Sequence, residues 1–124
     1  MPQDIGVAEG VFAPCPDKPN CVSSFAKDAD HYVAPIAIEG SADTAWMALK
    51  TILGNQKNVS IVTSSDHYLH AVYTSTLMRY RDDVEFLLQT DRSQIAVRSA
   101  SRVGHGDMGV NRARIEALRV GLTN

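Results

Sequence analysis

The stretch DDVEFLLQTDRSQIAVRSA, residues 82–100, constrains the fold more than any other part of the chain. Two runs of alternating apolar and polar residues flank the turn signal TDRS, which predicts an antiparallel hairpin centred on the DR dipeptide. That register sets Phe86 opposite Val97 on an apolar face, and Glu85 opposite Arg98 on the other face. The hairpin therefore needs an apolar layer against one face and charge pairing on the other.

The flanking sequence predicts the elements around this hairpin. YVAPIAIE indicates a short extended segment at a sheet edge, because Pro35 offers no hydrogen-bond donor to a neighbouring strand. A helix follows, with Ser41 as its N-cap, Trp46 as a core anchor on its apolar face and Gly54 at its end. NVSIVTS and HYLHAVYTS are typical of strands, and a last helix is expected to begin near Asp107, which caps it.

These elements predict an α+β fold. We expect a single domain in the order strand, helix, four antiparallel strands, helix, with a curved antiparallel sheet packed on the C-terminal helix. Residues 1–30 carry four of the five prolines and no sustained apolar period, which indicates an irregular N-terminal arm with a Cys15/Cys21 loop. Residues 31–124 are expected to form the α+β domain.

Composition excludes several classes of protein. The 124 residues are 44% hydrophobic and 21% charged, which is typical of one globular domain. A net charge of -2 provides no positive field for nucleic acid. No apolar run approaches the ~20 residues of a transmembrane segment. The start MPQDIGVAEG lacks a secretory pattern and predicts a cytoplasmic protein as written, with a periplasmic or lumenal location as the alternative if an export segment was removed.

The two cysteines leave two interpretations open. Cys15 and Cys21 are spaced to close a small disulfide loop or to act as a reversible redox pair, and equally they can be reduced structural thiols. A zinc site would need shorter spacing and a second ligand pair, which the scattered histidines do not supply. We therefore predict no metal and no cofactor.

The stretch RSASRVGHGDMGVNRARIE, residues 98–116, holds four arginines, two acids, a histidine and an asparagine. Its four arginines, Arg98, Arg102, Arg112 and Arg114, suit an anion site, since a guanidinium presents a planar fork to carboxylate or phosphate. The acids of DDVEF come within reach through the hairpin, however. An internal network that consumes these charges is the favoured interpretation, with ligand binding as the alternative.

The last helix brings one polar residue onto its apolar stripe. Asn111 shares a face with Ile115 and Leu118, so it is expected to be buried and hydrogen-bonded. Arg112 and Glu116 are spaced for a weak surface pair at i and i+4.

The sequence contains only weak patterns that would indicate a catalytic site. Ser99, Ser101, His105 and Asp107 are too close along the chain to converge readily as nucleophile, base and orienting group, and no GxSxG elbow is present. His70 alternates with Tyr68 and Val72 on one strand face, which favours a satisfied, half-buried imidazole over a catalytic base.

Three segments resemble a known family. CPDKPNCVSS, YLHAVYTS with the DDVEF strand, and RSASRVGHGDMGVNRARIEALR look like the domain-of-unknown-function family number 1499, found in bacteria and plant plastids. The resemblance covers roughly residues 10–120 and implies no catalytic assignment. Many relatives carry an export or membrane-anchoring segment before the CP motif, which bears on the compartment. The matching positions are Cys15, Pro16, Pro19, Asn20, Cys21, Asp82, Asp83, Glu85, Arg98, Ser99, Arg102, Gly104, Asp107, Gly109, Asn111, Arg112, Arg114 and Glu116.

The function expected from these observations is non-enzymatic binding, near the arginine-rich motif, of a small anionic or amphipathic ligand or of a partner protein. Such a function predicts a concave pocket beside Arg102 or Arg114 with unpaired donors. The alternatives are an enzyme that uses His70, His105 or the DDVEF acids, and a structural or assembly module without a ligand. The residues of this ligand site or structural polar network are Asp83, Glu85, Arg98, Arg102, Asp107, Asn111, Arg112, Arg114 and Glu116.

Overall fold

The predicted hairpin is the centre of the sheet. In the computed structural model, which describes residues 5–75, 80–102 and 108–123, β7 (Arg81–Gln89) pairs antiparallel with β8 (Gln94–Ser101). Phe86 lies opposite Val97 and Glu85 opposite Arg98, so the predicted register is confirmed. A 3-10 turn, Thr90–Arg92, and a left-handed Ser93 (φ 50°) close the loop between the strands.

The other strands extend the sheet on both sides of this hairpin. β6 (Tyr68–Thr74) pairs with β7, and β5 (Val59–Ser64) pairs with β6 as an exposed edge strand with a bulge. On the opposite side, β4 (Ile36–Ala37) pairs with the start of β8, which confirms the extended segment at a sheet edge. Every pairing between these strands is antiparallel.

The N-terminal segment differs from the prediction that residues 1–30 hold no strand. β1 (Val7–Ala8) and β2 (Val11–Phe12) form a small hairpin, and β3 (Cys21–Ser23) pairs with β8 beside β4. Strands of two or three residues are too short to produce an alternating pattern, and β3 is held by its pairing with β8. The prediction of a wholly irregular arm is therefore wrong.

The helices cover one face of the sheet. α1 (Ala42–Gly54) begins at Ser41, whose side chain accepts a hydrogen bond from the Thr44 amide, so the predicted N-cap is confirmed. α2 (Met108–Thr123) is the C-terminal helix, and it packs against both α1 and the sheet. The expected Asp107 cap falls outside the described residues.

The hydrophobic core lies between these helices and the sheet. The predicted anchor Trp46 is 4% exposed, and its indole donates to the Ser65 carbonyl at 3.1 Å. The sheet's contribution alternates along each strand, as the periodicity predicts. Its members are Val22, Ile36, Leu69, Ala71, Tyr73, Val84, Phe86, Leu88, Ile95 and Val97, and the helices contribute Leu49, Leu53, Ile115 and Leu118 besides Trp46. The molecule is thus an α+β domain with an antiparallel sheet packed on its C-terminal helix.

Candidate functional site

The sheet face opposite the helices carries a set of largely buried polar and charged side chains that we call the arm-side network: Tyr68, His70, Asp83, Glu85, Arg98 and Arg102. Glu85 is fully buried and Arg98 is 1% exposed. Arg98 Nη1 donates to Glu85 Oε1 at 3.4 Å, and the Tyr68 hydroxyl donates to Glu85 Oε2 at 2.6 Å. Burial raises the pKa of Tyr68, and its bond to Glu85 raises it further. Tyr68 therefore stays a protonated donor.

The N-terminal segment completes the surroundings of this ion pair. The Gly6 amide donates to Glu85 Oε2 at 2.9 Å, and Arg98 Nη2 donates to the Pro14 carbonyl at 3.4 Å. Cys15, which follows Pro14, is disulfide-bonded to Cys21 of β3, with an S–S distance of 2.02 Å. Of the two open interpretations of the cysteines, the structure thus has the disulfide. The bond ties the segment that contacts Glu85 and Arg98 to the sheet.

Asp83 is the second acid on this face. His70 Nε2 lies 2.7 Å from Asp83 Oδ1, and Arg102 makes a bidentate contact to the same carboxylate at 2.9 and 3.1 Å. Burial acts to raise the pKa of Asp83, but the hydrogen bonds and charges of His70 and Arg102 outweigh it and hold that pKa below its usual range. His70 is satisfied, as predicted, although at 3% exposure it is more deeply buried than expected.

A separate polar set, the helix-side network, lies between the sheet and α2. Arg114 Nη2 donates to Asp82 Oδ2 at 2.9 Å, and Arg114 Nη1 lies 3.1 Å from both Ser99 Oγ and Asn111 Oδ1. The Ser99 hydroxyl donates to Asn111 Oδ1 at 2.7 Å. Asn111 is fully buried, which confirms its predicted place on the apolar stripe. Asp82 and Asp83 thus serve opposite faces of one sheet because side chains alternate along a strand.

The outer side of α2 holds the segment that enters β4. Arg112 donates to the backbone carbonyls of residues 30 and 32 at 3.0 and 2.6 Å. Arg119 donates to the carbonyls of residues 34 and 35 at 2.8 and 2.7 Å, and also forms two 3.0 Å hydrogen bonds to Glu116. Glu116 therefore pairs with Arg119 at i+3, and the predicted pair with Arg112 at i−4 is replaced because Arg112 reaches backbone acceptors instead.

The four arginines of the predicted anion site do not come together. Arg98 and Arg102 belong to the arm-side network, Arg114 belongs to the helix-side network, and Arg112 lies on the outer side of α2. The first three each face a carboxylate of β7. The alternative prediction that these arginines converge on one anion is therefore wrong. Strand alternation places Asp82 on the opposite sheet face from Asp83 and Glu85, and the arginines that pair with these acids are separated in the same way.

A cleft does open beside Arg114, between α1, α2 and the edge of the sheet. We call it the α1–α2 cleft, and its volume is about 430 Å³. Its apolar lining comes mainly from the two helices, and its polar lining comes from the loop after α1, from β6 and from Arg114 of α2. The lining residues are Ile52, Gln56, Asn58, Tyr73, Val110, Ala113, Arg114, Ala117 and Leu118.

Tyr73 gives this cleft its one buried polar group without a partner within the described residues. The residue is 7% exposed, and its hydroxyl forms no hydrogen bond of good geometry within the described part of the chain, although the polar end of Gln56 approaches it. Burial raises the pKa of Tyr73, while the nearby Arg114 charge and the approach of Gln56 oppose that rise. Arg114 also stacks on the ring, with its guanidinium carbon 4.5 Å from the ring centre.

Tyr73 is not among the site residues predicted from the sequence, although its position in the chain carried a signal. Tyr73 alternates with Leu69 and Ala71 along HYLHAVYTS, which indicates the core face. A tyrosine on a core face needs a partner for its hydroxyl. Gln56 and Asn58 follow the helix end and carried no pattern that would connect them with Tyr73.

Two further cavities differ from the α1–α2 cleft in their polar content. One, of about 340 Å³, lies on the other side of α1 and is lined mainly by Ile36, Ile38, Ala45, Ala48 and Leu122. The other, of about 370 Å³, is lined by residues 5–8 and 11–14. Neither is lined by a buried polar side chain that lacks a partner within the described chain.

The arm-side acids and His70 do not line any of these three cavities. Across residues 5–75, 80–102 and 108–123, no group of three or more His, Cys, Asp or Glu side chains is arranged to hold a metal ion. Within the same ranges, no helix is both long and apolar enough to cross a bilayer. His105 and Asp107, considered as catalytic candidates, lie outside the described residues.

The comparison with protein families agrees with the motifs that frame both networks. The model of the family described as "Protein of unknown function (DUF1499)" matches residues 11–122. The chain belongs to the DUF1499 family. The matched range includes the disulfide, both charge networks and the lining of the α1–α2 cleft. A comparison of this DUF1499 chain with curated proteins found no match.

Proposed function

We propose that this DUF1499 domain is a non-enzymatic binding domain that holds a small amphipathic molecule in the α1–α2 cleft. The observation that carries the proposal is the buried hydroxyl of Tyr73, a residue that lines the cleft; this hydroxyl forms no hydrogen bond of good geometry in the described chain. A buried hydroxyl without a hydrogen bond costs about 1–3 kcal/mol, and a bound polar group would recover that cost.

The size and lining of the cleft support the same function. A volume of about 430 Å³ lies within the range of small-molecule sites, which combine an apolar lining with a few placed polar groups. Here Ile52, Ala117 and Leu118 supply apolar contact, and Tyr73 supplies the polar end. The arginine-rich motif contributes through Arg114, whose stacking on Tyr73 fixes the ring.

The enzyme alternative has less support in the described residues. A general acid or base must reach a substrate, whereas Glu85 and Asp83 are engaged by tyrosine, histidine and arginine partners and do not line the three cavities described above. These contacts favour a structural role for the arm-side network beneath the N-terminal segment.

A pair of alanine-to-phenylalanine variants tests the proposed cleft. Ala117 is exposed and lines the α1–α2 cleft, whereas Ala37 is exposed and lines the cavity on the other side of α1. We expect the protein purified from its native host to retain a small molecule in a non-denaturing mass spectrum. Ala117→Phe should remove that mass by filling the cleft, and Ala37→Phe should keep it.

Two outcomes of these experiments would contradict binding in the α1–α2 cleft. If the native-host protein carries no extra mass and its cleft amides do not shift in NMR spectra when octanamide, octanoate or octylamine is added, the binding function is wrong. Loss of a bound mass in Ala37→Phe but not in Ala117→Phe would move the site to the other cavity.

A further inference from the structure

The charge balance of the α1–α2 cleft limits the ligands it can accept. Arg114 is the cleft's cation, but Nη2 is bonded to Asp82 and Nη1 lies within hydrogen-bond distance of Ser99 and Asn111. The side chains of Arg114 and Asp82 are 15% and 12% exposed, so this pair sits in a largely desolvated position. The positive charge of the cleft is therefore already compensated.

This pairing disfavours both kinds of charged ligand. An anion beside Arg114 would have to share one guanidinium with Asp82. The negative charges of the anion and of the Asp82 carboxylate would then lie close together and repel each other. A cation would lie beside Arg114 itself. In either case the ligand would lose its hydration without gaining an unpaired counter-charge, which is costly in an apolar site.

The buried polar group of the cleft that lacks a hydrogen bond of good geometry within the described chain is a neutral donor, the Tyr73 hydroxyl. Burial raises the pKa of Tyr73, so its hydroxyl is protonated at neutral pH and has a proton to donate. Gln56 is partly engaged elsewhere, since its Nε2 donates to the Ile52 carbonyl at 3.3 Å. Tyr73 is thus the group on which the polar end of a ligand would be oriented.

We propose that the α1–α2 cleft selects an amphipathic molecule whose polar end is an uncharged hydrogen-bond acceptor, such as a carbonyl oxygen bonded to the Tyr73 hydroxyl. This inference rests on the proposed binding function and adds the chemical class of the ligand. The apolar part of the molecule lies against Ile52, Ala113 and Ala117, and Arg114 takes part through its stacking on Tyr73.

A matched probe series tests the selection. Octanamide, octanoate and octylamine share chain length and differ in the charge of the polar end, and all three are titrated into the wild-type protein at neutral pH with amide NMR shifts as the readout. We expect octanamide to shift amides of cleft residues at the lowest concentration. The charged probes should bind at least about tenfold more weakly, because neither finds an unpaired counter-charge.

Tyr73→Phe identifies the donor. This variant removes the hydroxyl and keeps the ring that Arg114 covers, so we expect about fivefold weaker binding of octanamide with little change for the charged probes. Its unfolding midpoint in urea should not fall, because the hydroxyl has no partner in the described chain to lose. Ala117→Phe should block all three probes.

The outcomes separate this inference from the binding function. Equal or tighter binding of octanoate or octylamine in the cleft would overturn the neutral-acceptor selection and leave the binding function standing. An unchanged affinity of Tyr73→Phe for octanamide would likewise overturn the neutral-acceptor selection and leave the binding function standing. Absence of cleft shifts with every probe, with no bound mass in native-host protein, would overturn the binding function itself.

Discussion

Arg98 is among the largest fully buried side chains in the protein, and its counter-charge Glu85 is fully buried as well. Removing one partner of such a pair leaves an uncompensated charge in the interior, which typically costs about 3–5 kcal/mol. We predict a loss of that size for Arg98→Gln, measured by urea unfolding. Domains of this kind have total stabilities of about 5–15 kcal/mol, so the variant should be partly unfolded or close to it.

Arg92→Gln is the matched control for this substitution. Arg92 is exposed in the turn between β7 and β8, where a change should remain within about 0.5 kcal/mol of the wild type. A loss below about 1 kcal/mol for Arg98→Gln would contradict a structural role for the ion pair.

Asp83 links stability to pH. Its folded-state pKa is lowered by the net effect of His70 and Arg102 against burial. A carboxyl group with a lowered folded-state pKa contributes stability that is present above its unfolded pKa, about 3.9, and that is lost as pH falls through the folded value. We predict that the free energy of unfolding decreases below about pH 4 and that Asp83→Asn shows a shallower decrease.

Glu116 provides a comparison at the surface. Its hydrogen bonds with Arg119 also lower its pKa, but its side chain is 53% exposed, so solvent and salt screen the interaction. Glu116→Gln should therefore change little the decrease in the free energy of unfolding at acid pH, particularly at high salt. If that decrease were as steep in Asp83→Asn as in the wild type, other carboxyl groups would determine it.

The Cys15–Cys21 disulfide is a cross-link, additional to the backbone, between the N-terminal segment and β3. Closing a loop this short reduces the entropy of the unfolded chain and is worth about 2–3 kcal/mol. We predict that dithiothreitol lowers the urea midpoint of the wild type. Hydrogen exchange at the Gly6 amide, which bonds to Glu85, should also become faster.

The doubly substituted Cys15→Ala/Cys21→Ala protein controls for direct effects of the reductant. Its midpoint should resemble that of the reduced wild type and should not move when dithiothreitol is added. A wild-type midpoint that is the same with and without reductant would refute a stabilising role for the bond.

The sheet as a whole should open from its β5 edge. β7 and β8 are hydrogen-bonded on both sides, whereas β5 pairs only with β6 in the described chain, contains a bulge and is largely exposed. We predict that the amides of β7 and β8 exchange only on global unfolding, while those of β5 exchange through local opening. Hydrogen exchange followed by NMR distinguishes these cases, and equal protection of β5 and β7 would contradict the prediction.

Much of the fold was predictable because it depends on interactions between residues that are close in sequence. The register of β7 and β8 follows from strand alternation around a short turn, so the pairing of Glu85 with Arg98 could be predicted. The Ser41 cap and the burial of Asn111 follow from helical periodicity in the same way. The strand β3 could not be predicted, because three residues carry no usable period and its partner is far away in sequence.

The amino-acid sequence was enough to assign the faces of the longer strands and of both helices, since the backbone periods of two and 3.6 residues are local properties. Which of these faces meet depends on how the elements pack in three dimensions. Alternation separates Asp82 from Asp83, but packing of α2 supplies Arg114 to one, and the β8 pairing brings Arg102 to the other. The α1–α2 cleft likewise exists only because Tyr73, Ile52 and Ala117, distant along the chain, are brought together by the packing of two helices on one sheet.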